Sequence, residues 1–218
     1  MLAPKLLWRR TKNPSAGGND LLSRIRDRAR SWIEPMAKAF VRTGVSPNTI
    51  TFLGLVIGIL AALLFARGEQ LLAGIVLLIT GFFDVMDGAV ARLLQKETAF
   101  GGVLDSVIDR YVEFLLYAGI IYAFKVGAIA EPGFIIGWGW AWGVLAITGS
   151  FMVSYIRARA ESAGTGKLDV GIAERAERLI ILALGALLGC TPYAVVIIAI
   201  LTHVTVIERM VAAKRRLH

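Results

Sequence analysis

The stretch DVMDGAVAR at residues 84–92 and the stretch GGVLDSVID at residues 101–109 place four aspartates inside otherwise apolar sequence. Both belong to hydrophobic segments long enough to cross a membrane. An ionised aspartate at the centre of a bilayer costs roughly 2.5–3.5 kcal/mol on translocon scales. Four aspartates on two neighbouring segments therefore need a compensating cation. Hard divalent metals such as Mg²⁺, Mn²⁺ or Ca²⁺ prefer oxygen ligands, so the pattern indicates a metal-dependent membrane enzyme.

The composition places the chain among polytopic membrane proteins. Of its 218 residues, 56% are hydrophobic, and the mean hydropathy of +0.67 is unusual for a soluble domain of this length. The formal net charge is +8. Because no aromatic-plus-basic pattern accompanies this charge, we expect it to face anionic lipid headgroups and phosphorylated substrates, and we predict no nucleic-acid partner. The single cysteine excludes a disulfide within the chain.

We predict an all-α, polytopic integral membrane protein. Because a spanning helix needs about 20 apolar residues, the hydrophobic segments predict six transmembrane helices. They cover residues 47–66, 71–94, 100–124, 132–155, 171–188 and 192–212. Residues 1–45 are predicted to form a basic N-terminal arm and a juxtamembrane amphipathic helix, and residues 46–218 the six-helix transmembrane domain.

The basic residues orient the predicted bundle. They concentrate before the first span, between spans two and three, between spans four and five, and after span six, whereas Arg67 and Lys125 alone lie on the other side. By the positive-inside rule, both termini and the aspartate-bearing end are cytoplasmic. We therefore expect a multi-pass protein of the cell (plasma) membrane whose active site faces the cytoplasm.

A periodic apolar pattern precedes the first span. Its members recur at three- and four-residue spacing: Leu21, Ile25, Ala29, Trp32, Met36 and Phe40. Arginines occupy the intervening positions, which predicts an amphipathic helix lying in the cytoplasmic membrane interface. Asp20 is a candidate N-cap, and Pro35 is expected to kink the helix. The alternative is a short soluble helix packed on the loops.

Helical spacing brings the small and charged residues of the first stretch onto one side. Asp84 and Asp87 are three residues apart and share a helix face. Gly88 and Ala91 continue that face with almost no side chain, which leaves room for a substrate against the backbone. Arg92 follows Gly88 by one turn and is suited to binding a phosphate.

The second stretch repeats the arrangement, with Gly101, Asp105 and Asp109 at four-residue steps. The complete spacing, Asp-x2-Asp-Gly-x2-Ala-Arg-x8-Gly-x3-Asp-x3-Asp, resembles the signature of the CDP-alcohol phosphotransferases at all eight specified positions. The chain length and the six-span layout also resemble that family from residue 46 onwards. The resemblance implies transfer of a phosphoalcohol unit from a CDP-linked donor to a hydroxyl acceptor, with release of CMP.

The resemblance also implies roles for individual residues. Two metal ions, Mg²⁺ or Mn²⁺, would be bound by Asp84, Asp87, Asp105 and Asp109. Asp109 would also be the general base, since an alcohol is a poor nucleophile that a nearby carboxylate can activate. The CDP moiety would be bound by Asp84, Gly88, Ala91, Arg92, Gly101 and Asp105. In the stretch SPNTIT at residues 46–51, Asn48 and Thr51 either contact the nucleotide or cap the first span.

The second half of the chain carries arginines that indicate a phosphorylated acceptor. It resembles the branch of the family that makes phosphatidylinositol phosphate or its archaeal-lipid counterpart, although that branch often has proline where Ala176 stands and actinobacterial members tend to have lysine where Arg157 stands. Inositol phosphate carries a dianionic phosphate, which arginine recognises well. The predicted acceptor-phosphate residues are Ser154, Arg157, Arg178, Arg209 and Arg110. Arg159 and Arg175 are equally explained as ordinary cytoplasmic positive charge.

The leading hypothesis is transfer of a phosphatidyl group from CDP-diacylglycerol to inositol 1-phosphate. The same chemistry with glycerol 3-phosphate as acceptor, or with an archaeal ether-lipid donor, stays open, as do a prenyltransferase and a cation transporter. The family resemblance implies a homodimer. Gly54 and Gly58 permit close helix packing, either within the chain or between copies.

Overall fold

The computed structural model describes residues 33–217, and every regular element in that range is a helix, so the all-α prediction is confirmed there. Six α-helices follow residues 33–42, which are also helical. They are α1 (Pro47–Ala66), α2 (Gln70–Leu93), α3 (Ala99–Lys125), α4 (Gly139–Ser162), α5 (Arg175–Leu187) and α6 (Thr191–Leu217), with a short 3-10 helix at Gly133–Ile135.

Four of these helices, α1, α2, α4 and α6, are long and apolar enough to cross a membrane. The predicted total of six spans stays a prediction. Helix α3 has the length, with 27 residues, but it carries the charges of the site described below. Helix α5 has 13 residues and measures about 20 Å at 1.5 Å per residue, which is shorter than a hydrocarbon core.

Two predicted helix starts are wrong by several residues, and glycines explain both. The fourth span was predicted from residue 132, but α4 begins at Gly139, after Gly137 at φ +78°. The fifth was predicted from residue 171, but α5 begins at Arg175, because Gly171 has a φ of +97° that a right-handed helix does not accommodate.

Close helix contacts hold the aspartate-bearing helices together. Helix α1 packs against both α2 and α3. A Cβ on Gly119 of α3 would collide with the backbone carbonyl of Ala62 in α1, and a Cβ on Gly58 would lie 2.7 Å from Val112. Gly58 therefore serves packing within the chain. Helix α5 packs on α2 and α6, and α4 packs on α3 and α6.

The helical residues 33–42 pack on the bundle at the same end as the aspartates. Ala37 is fully buried, and the ring of Phe40 meets that of Phe83 on α2 edge to face at 6.2 Å. Met36 is 42% exposed. Most of the predicted amphipathic pattern, from Leu21 to Trp32, lies outside the described residues, so an interfacial helix stays a prediction.

Candidate active site

Three of the four aspartates converge where α2 and α3 face each other. Asp84 on α2 and Asp105 and Asp109 on α3 each offer a carboxylate oxygen, and these oxygens all lie within 4.8 Å of one another. Oδ1 of Asp105 is buried and has no hydrogen-bond partner among the described residues. A bound cation would satisfy this oxygen. The three residues, called the aspartate cluster below, therefore fit a hard divalent metal.

Asp87 has a different partner. It is 7% exposed, and its Oδ2 accepts a hydrogen bond of 2.8 Å from the hydroxyl of Thr51 on α1. It lies outside the group of three oxygens, so its predicted role as a metal ligand stays a prediction. The alternative that Asn48 or Thr51 caps α1 is wrong, because the N-cap is Ser46, whose Oγ accepts from the N–H of Thr49 at 3.2 Å.

A cavity of about 310 Å³, called the small cavity, opens on one side of the aspartate cluster between α1, α2 and α3. Six of the eight predicted CDP-binding residues line it: Asn48, Thr51, Gly88, Ala91, Gly101 and Asp105. Asp84 lies in the cluster itself. Arg92 is exposed, with its guanidinium folded beside Gly88, since a Cβ there would lie 3.4 Å from Nη1 of Arg92.

Gly101 combines two functions at the edge of the small cavity. Its N–H donates a hydrogen bond of 2.9 Å to Oγ1 of Thr98, the N-cap of α3. A Cβ at Gly101 would also lie 2.9 Å from that oxygen. Because a real Cβ is rarely found so close, glycine allows the cap to form and leaves the cavity wall open.

A cavity of about 860 Å³, called the large cavity, lies on the other side of the aspartate cluster, with Asp84 and Asp109 in its wall. Helices α2 to α6 and Glu174, just before α5, all contribute to its wall. The structure brings all five predicted acceptor-phosphate residues to this one cavity: Arg110, Ser154, Arg157, Arg178 and Arg209.

Arg110 and Arg157 are the two partly exposed arginines of that set. Nη1 of Arg110 donates to Oγ of Ser154, and its Nη2 lies 3.5 Å from Asp109. Arg157 reaches three carboxylates with three different nitrogens, at 3.2 Å from Glu161, 3.1 Å from Asp169 and 3.2 Å from Glu174, and its side chain is 33% exposed. These ion pairs border solvent, so a substrate phosphate can compete for the guanidinium groups.

Arg178 and Arg209 are buried, each 1% exposed, and their hydrogen bonds go to protein partners. Arg178 binds both carboxylate oxygens of Glu113, at 2.7 and 2.9 Å, and the carbonyl of Ala173 at 2.6 Å. The partners of Arg209 are the carbonyls of Val153 and Val170, both at 2.8 Å, and Glu174 at 3.1 Å. Their predicted contact with an acceptor phosphate stays a prediction.

Arg175 is the residue of this site that the sequence analysis missed. Its Nη1 lies 2.6 Å from Asp84 and its Nη2 lies 2.8 Å from Asp109, so one guanidinium joins two members of the aspartate cluster. The side chain is 15% exposed and lines the large cavity. Its position in the sequence could have indicated this role. Arg175 is three residues before Arg178, on the same face of α5, and it lies at the first turn of that helix, beside the aspartate cluster.

Comparison with known proteins is consistent with this geometry. The family profile described as CDP-alcohol phosphatidyltransferase matches residues 44–208. Archaetidylinositol phosphate synthase from Pyrococcus horikoshii is 40% identical over 197 residues, which cover 90% of this chain and 98% of that protein.

Two solved structures share the fold. Phosphatidylinositol phosphate synthase from Mycobacterium tuberculosis with CDP-DAG bound superimposes with a TM-score of 0.73 at 28% identity, covering 83% of this chain and 92% of that one. The same synthase in complex with manganese and citrate gives a TM-score of 0.73 at 28% identity, with 84% and 88% covered.

Proposed function

Because the chain belongs to the CDP-alcohol phosphatidyltransferase family, we propose that it transfers a phosphatidyl group from CDP-diacylglycerol to inositol 1-phosphate and releases CMP. One observation carries the proposal. The aspartate cluster lies between a small cavity lined by short side chains and a large cavity lined by arginines. A donor diphosphate can thus approach the aspartate cluster at Asp105, and an anionic acceptor can approach it from the other cavity at Asp84 and Asp109.

We assign the small cavity to the cytidine and diphosphate of the donor. Gly88, Ala91 and Gly101 leave the helix backbones accessible, and Asn48 and Thr51 supply polar groups. The solved synthase with CDP-DAG bound supports this donor class. The diacyl tails would leave the site sideways into the bilayer along the apolar faces of the helices.

We assign the large cavity to the phosphate of the acceptor. Arg110, Arg157 and Arg175 carry the guanidinium groups that are held by carboxylates or a hydroxyl at the cavity wall. A phosphate dianion can form charge-assisted, bidentate hydrogen bonds with them. Arg178 and Arg209 would add positive potential from within the wall, and Ser154 would add a hydroxyl.

The reaction needs a proton acceptor beside the attacking oxygen. We propose that two ions, Mg²⁺ or Mn²⁺, would be held by Asp84, Asp105 and Asp109, with Asp87 nearby. They would neutralise the donor diphosphate and offset the charge that develops on CMP. Asp109 takes the proton of the acceptor hydroxyl, whose oxygen forms a bond to the β-phosphorus. The bond from that phosphorus to the bridging oxygen breaks, and CMP leaves with the bonding electrons.

We further propose that the aspartate-bearing end faces the cytoplasm of a cell membrane. The distribution of basic residues supports this orientation, and it would give the site access to water-soluble inositol phosphate and CMP. A homodimer is proposed on the family resemblance alone.

The test is CMP release by the purified protein in detergent with CDP-diacylglycerol and Mg²⁺. Inositol 1-phosphate, glycerol 3-phosphate and free inositol are supplied in turn, and one arm replaces the donor with the CDP-activated archaeal ether lipid, since an archaetidyl enzyme is among the relatives. We expect turnover with inositol 1-phosphate and its loss with EDTA. Turnover with glycerol 3-phosphate alone would contradict the acceptor assignment, and preference for the ether lipid would contradict the donor.

A further inference from the structure

We infer that Glu113 is a positioning residue that sets the geometry of the acceptor side of the site through its buried ion pair with Arg178. This inference rests on the proposed function, because it assigns Glu113 to the binding of the anionic acceptor. Glu113 lies one turn beyond Asp109 on α3 and lines neither of the two cavities.

The pair is geometrically specific. Glu113 and Arg178 are each 1% exposed, and both carboxylate oxygens accept hydrogen bonds from the guanidinium, at 2.7 Å from Nε and 2.9 Å from Nη2. The remaining Nη1 donates to the carbonyl of Ala173, just before α5, at 2.6 Å. Two planar groups joined in this way fix both the distance and the orientation of the helices that carry them.

The consequence for the site follows from helical spacing. Asp109 precedes Glu113 by four residues, and Arg175 precedes Arg178 by three. The pair Asp109–Arg175, at 2.8 Å, therefore lies one helical turn from the pair Glu113–Arg178, towards the aspartate cluster. The two ion pairs both link α3 to α5, one helical turn apart. The buried pair Glu113–Arg178 therefore determines where Arg175 meets Asp109 in the cluster.

Helix α5 depends on this link because its close helix packing is with α2 and α6. The long side chains of Glu113 and Arg178 bridge the space to α3. With 13 residues, α5 has little other surface with which to fix its rotation against α3. A change in the buried pair should therefore move Arg175 relative to Asp109.

Glu113 also faces a second arginine of the large cavity. Nε of Arg110 lies 3.9 Å from Oε2 of Glu113, while Nη1 of Arg110 donates to Ser154 on α4. The buried carboxylate of Glu113 thus binds Arg178 of α5 and lies beside Arg110, which in turn contacts α4. No comparable contact connects Glu113 to the described residues of the small cavity.

The test compares the KM values of the two substrates in Glu113→Gln. A glutamine keeps the shape but turns one N–H donor towards Nη2 of Arg178, so the bidentate pair is lost. We expect the KM for the acceptor to rise about tenfold, while the KM for CDP-diacylglycerol stays within about twofold. Glu69→Gln, which changes an exposed carboxylate at the start of α2 outside both cavities, should leave both KM values unchanged.

A second variant separates positioning from folding. Removing one partner of a buried pair destabilises a protein strongly, whereas replacing both with apolar residues is often tolerated. Glu113→Leu combined with Arg178→Leu should therefore unfold at nearly the wild-type temperature in detergent, yet show the raised acceptor KM. A folded double variant with wild-type acceptor KM would overturn the inference. So would equal changes in both KM values, or failure of both variants to fold, because each would make the pair a general structural element.

The proposed function is judged separately from wild-type turnover with inositol 1-phosphate. If the wild type accepts another polyol phosphate instead, the proposed acceptor is wrong. The role of Glu113 is then measured with the phosphate that the wild type accepts.

Discussion

The small and large cavities are walled by different kinds of residue, although the same carboxylates separate them. The small cavity is lined mostly by glycine, alanine and short polar or acidic side chains of α1, α2 and α3, and its long charged side chains, Lys96 and Glu97, come from the loop between α2 and α3. Long charged side chains from four helices line the large cavity, and most of them are paired with one another. In the first, substrate would meet helix backbone. In the second, substrate would compete with ion pairs that already exist.

This difference determines how each side responds to substitution. A wall of small residues is disturbed when a larger side chain is introduced, because the added atoms overpack the cavity and take the space of the substrate. A wall of paired charges is disturbed when one partner is removed. The cost in folding stability rises with the burial of the charge that is left unpaired. Arg175 and Arg178 are one turn apart on α5 and both line the large cavity, yet the side chain of Arg175 is 15% exposed and that of Arg178 only 1%.

The largest expected effect comes from Asp109, the member of the aspartate cluster that the proposed mechanism uses as the base and that lies in the wall of the large cavity. Asp109→Asn keeps the size of the side chain but removes its charge and its basicity. We expect CMP release to fall about 10³-fold, since general base catalysis contributes roughly that much. The measurement is initial CMP release at saturating concentrations of both substrates.

The matched control is Glu69→Gln, which neutralises an exposed carboxylate at the start of α2, far along the helix from the cluster. Its CMP release should equal that of the wild type. Retention of more than about a tenth of wild-type turnover in Asp109→Asn would contradict the role of Asp109 as base.

The next effect separates the two arginines of α5. Arg175→Ala should raise the acceptor KM about 10- to 100-fold, because hydrogen bonds to a charged ligand contribute roughly 1.5–3 kcal/mol. Its unfolding temperature should stay close to that of the wild type. Arg178→Ala leaves Glu113 buried without its charge partner and should cost about 3–5 kcal/mol of folding stability. Both are measured by substrate titration and by thermal unfolding in detergent.

The opposite result would reverse the comparison. If Arg178→Ala stays stable and loses acceptor binding while Arg175→Ala does not, then Arg178 contacts the acceptor and the partly buried Arg175 is structural.

The aspartate cluster was predictable from the sequence, whereas the partners of the arginines were not. Spacing along a single helix decides which side chains share a face, so the positions of Asp105 and Asp109 follow from local geometry. The role of Arg178 depends on Glu113, which lies 65 residues away in sequence and carries no local signal. The all-α class follows from composition, but the start of α5 depends on the backbone at Gly171.

A smaller effect tests the small cavity alone. Gly101→Ala places a Cβ 2.9 Å from Oγ1 of Thr98 and should disturb the N-cap of α3. We expect the KM for CDP-diacylglycerol to rise about tenfold, which corresponds to a modest overpacking energy, with no change in the acceptor KM.

Gly102→Ala is the control for this prediction. Gly102 lines the same cavity, but nothing lies within 4 Å of a Cβ built there. Both KM values should therefore match those of the wild type. Equal effects of the two substitutions would mean that helix flexibility, and not the space beside Thr98, governs donor binding.

The smallest expected effect concerns the most solvent-accessible ion pairs of the large cavity. Arg157 reaches Glu161, Asp169 and Glu174 with three separate nitrogens, and a lysine cannot maintain this fork. Asp169 also accepts a hydrogen bond from Lys167, which lowers the pKa of Asp169, so it stays ionised at neutral pH.

Because exposed pairs contribute little, Arg157→Lys should raise the acceptor KM only about threefold and leave the unfolding temperature unchanged. Acceptor titration at low and high salt checks this, since screening should reduce the difference between variant and wild type. A rise in the acceptor KM as large as that of Arg175→Ala would mean that Arg157 binds the acceptor phosphate through a geometry that only arginine provides. The main phosphate contact of the large cavity would then come from α4 and not from α5.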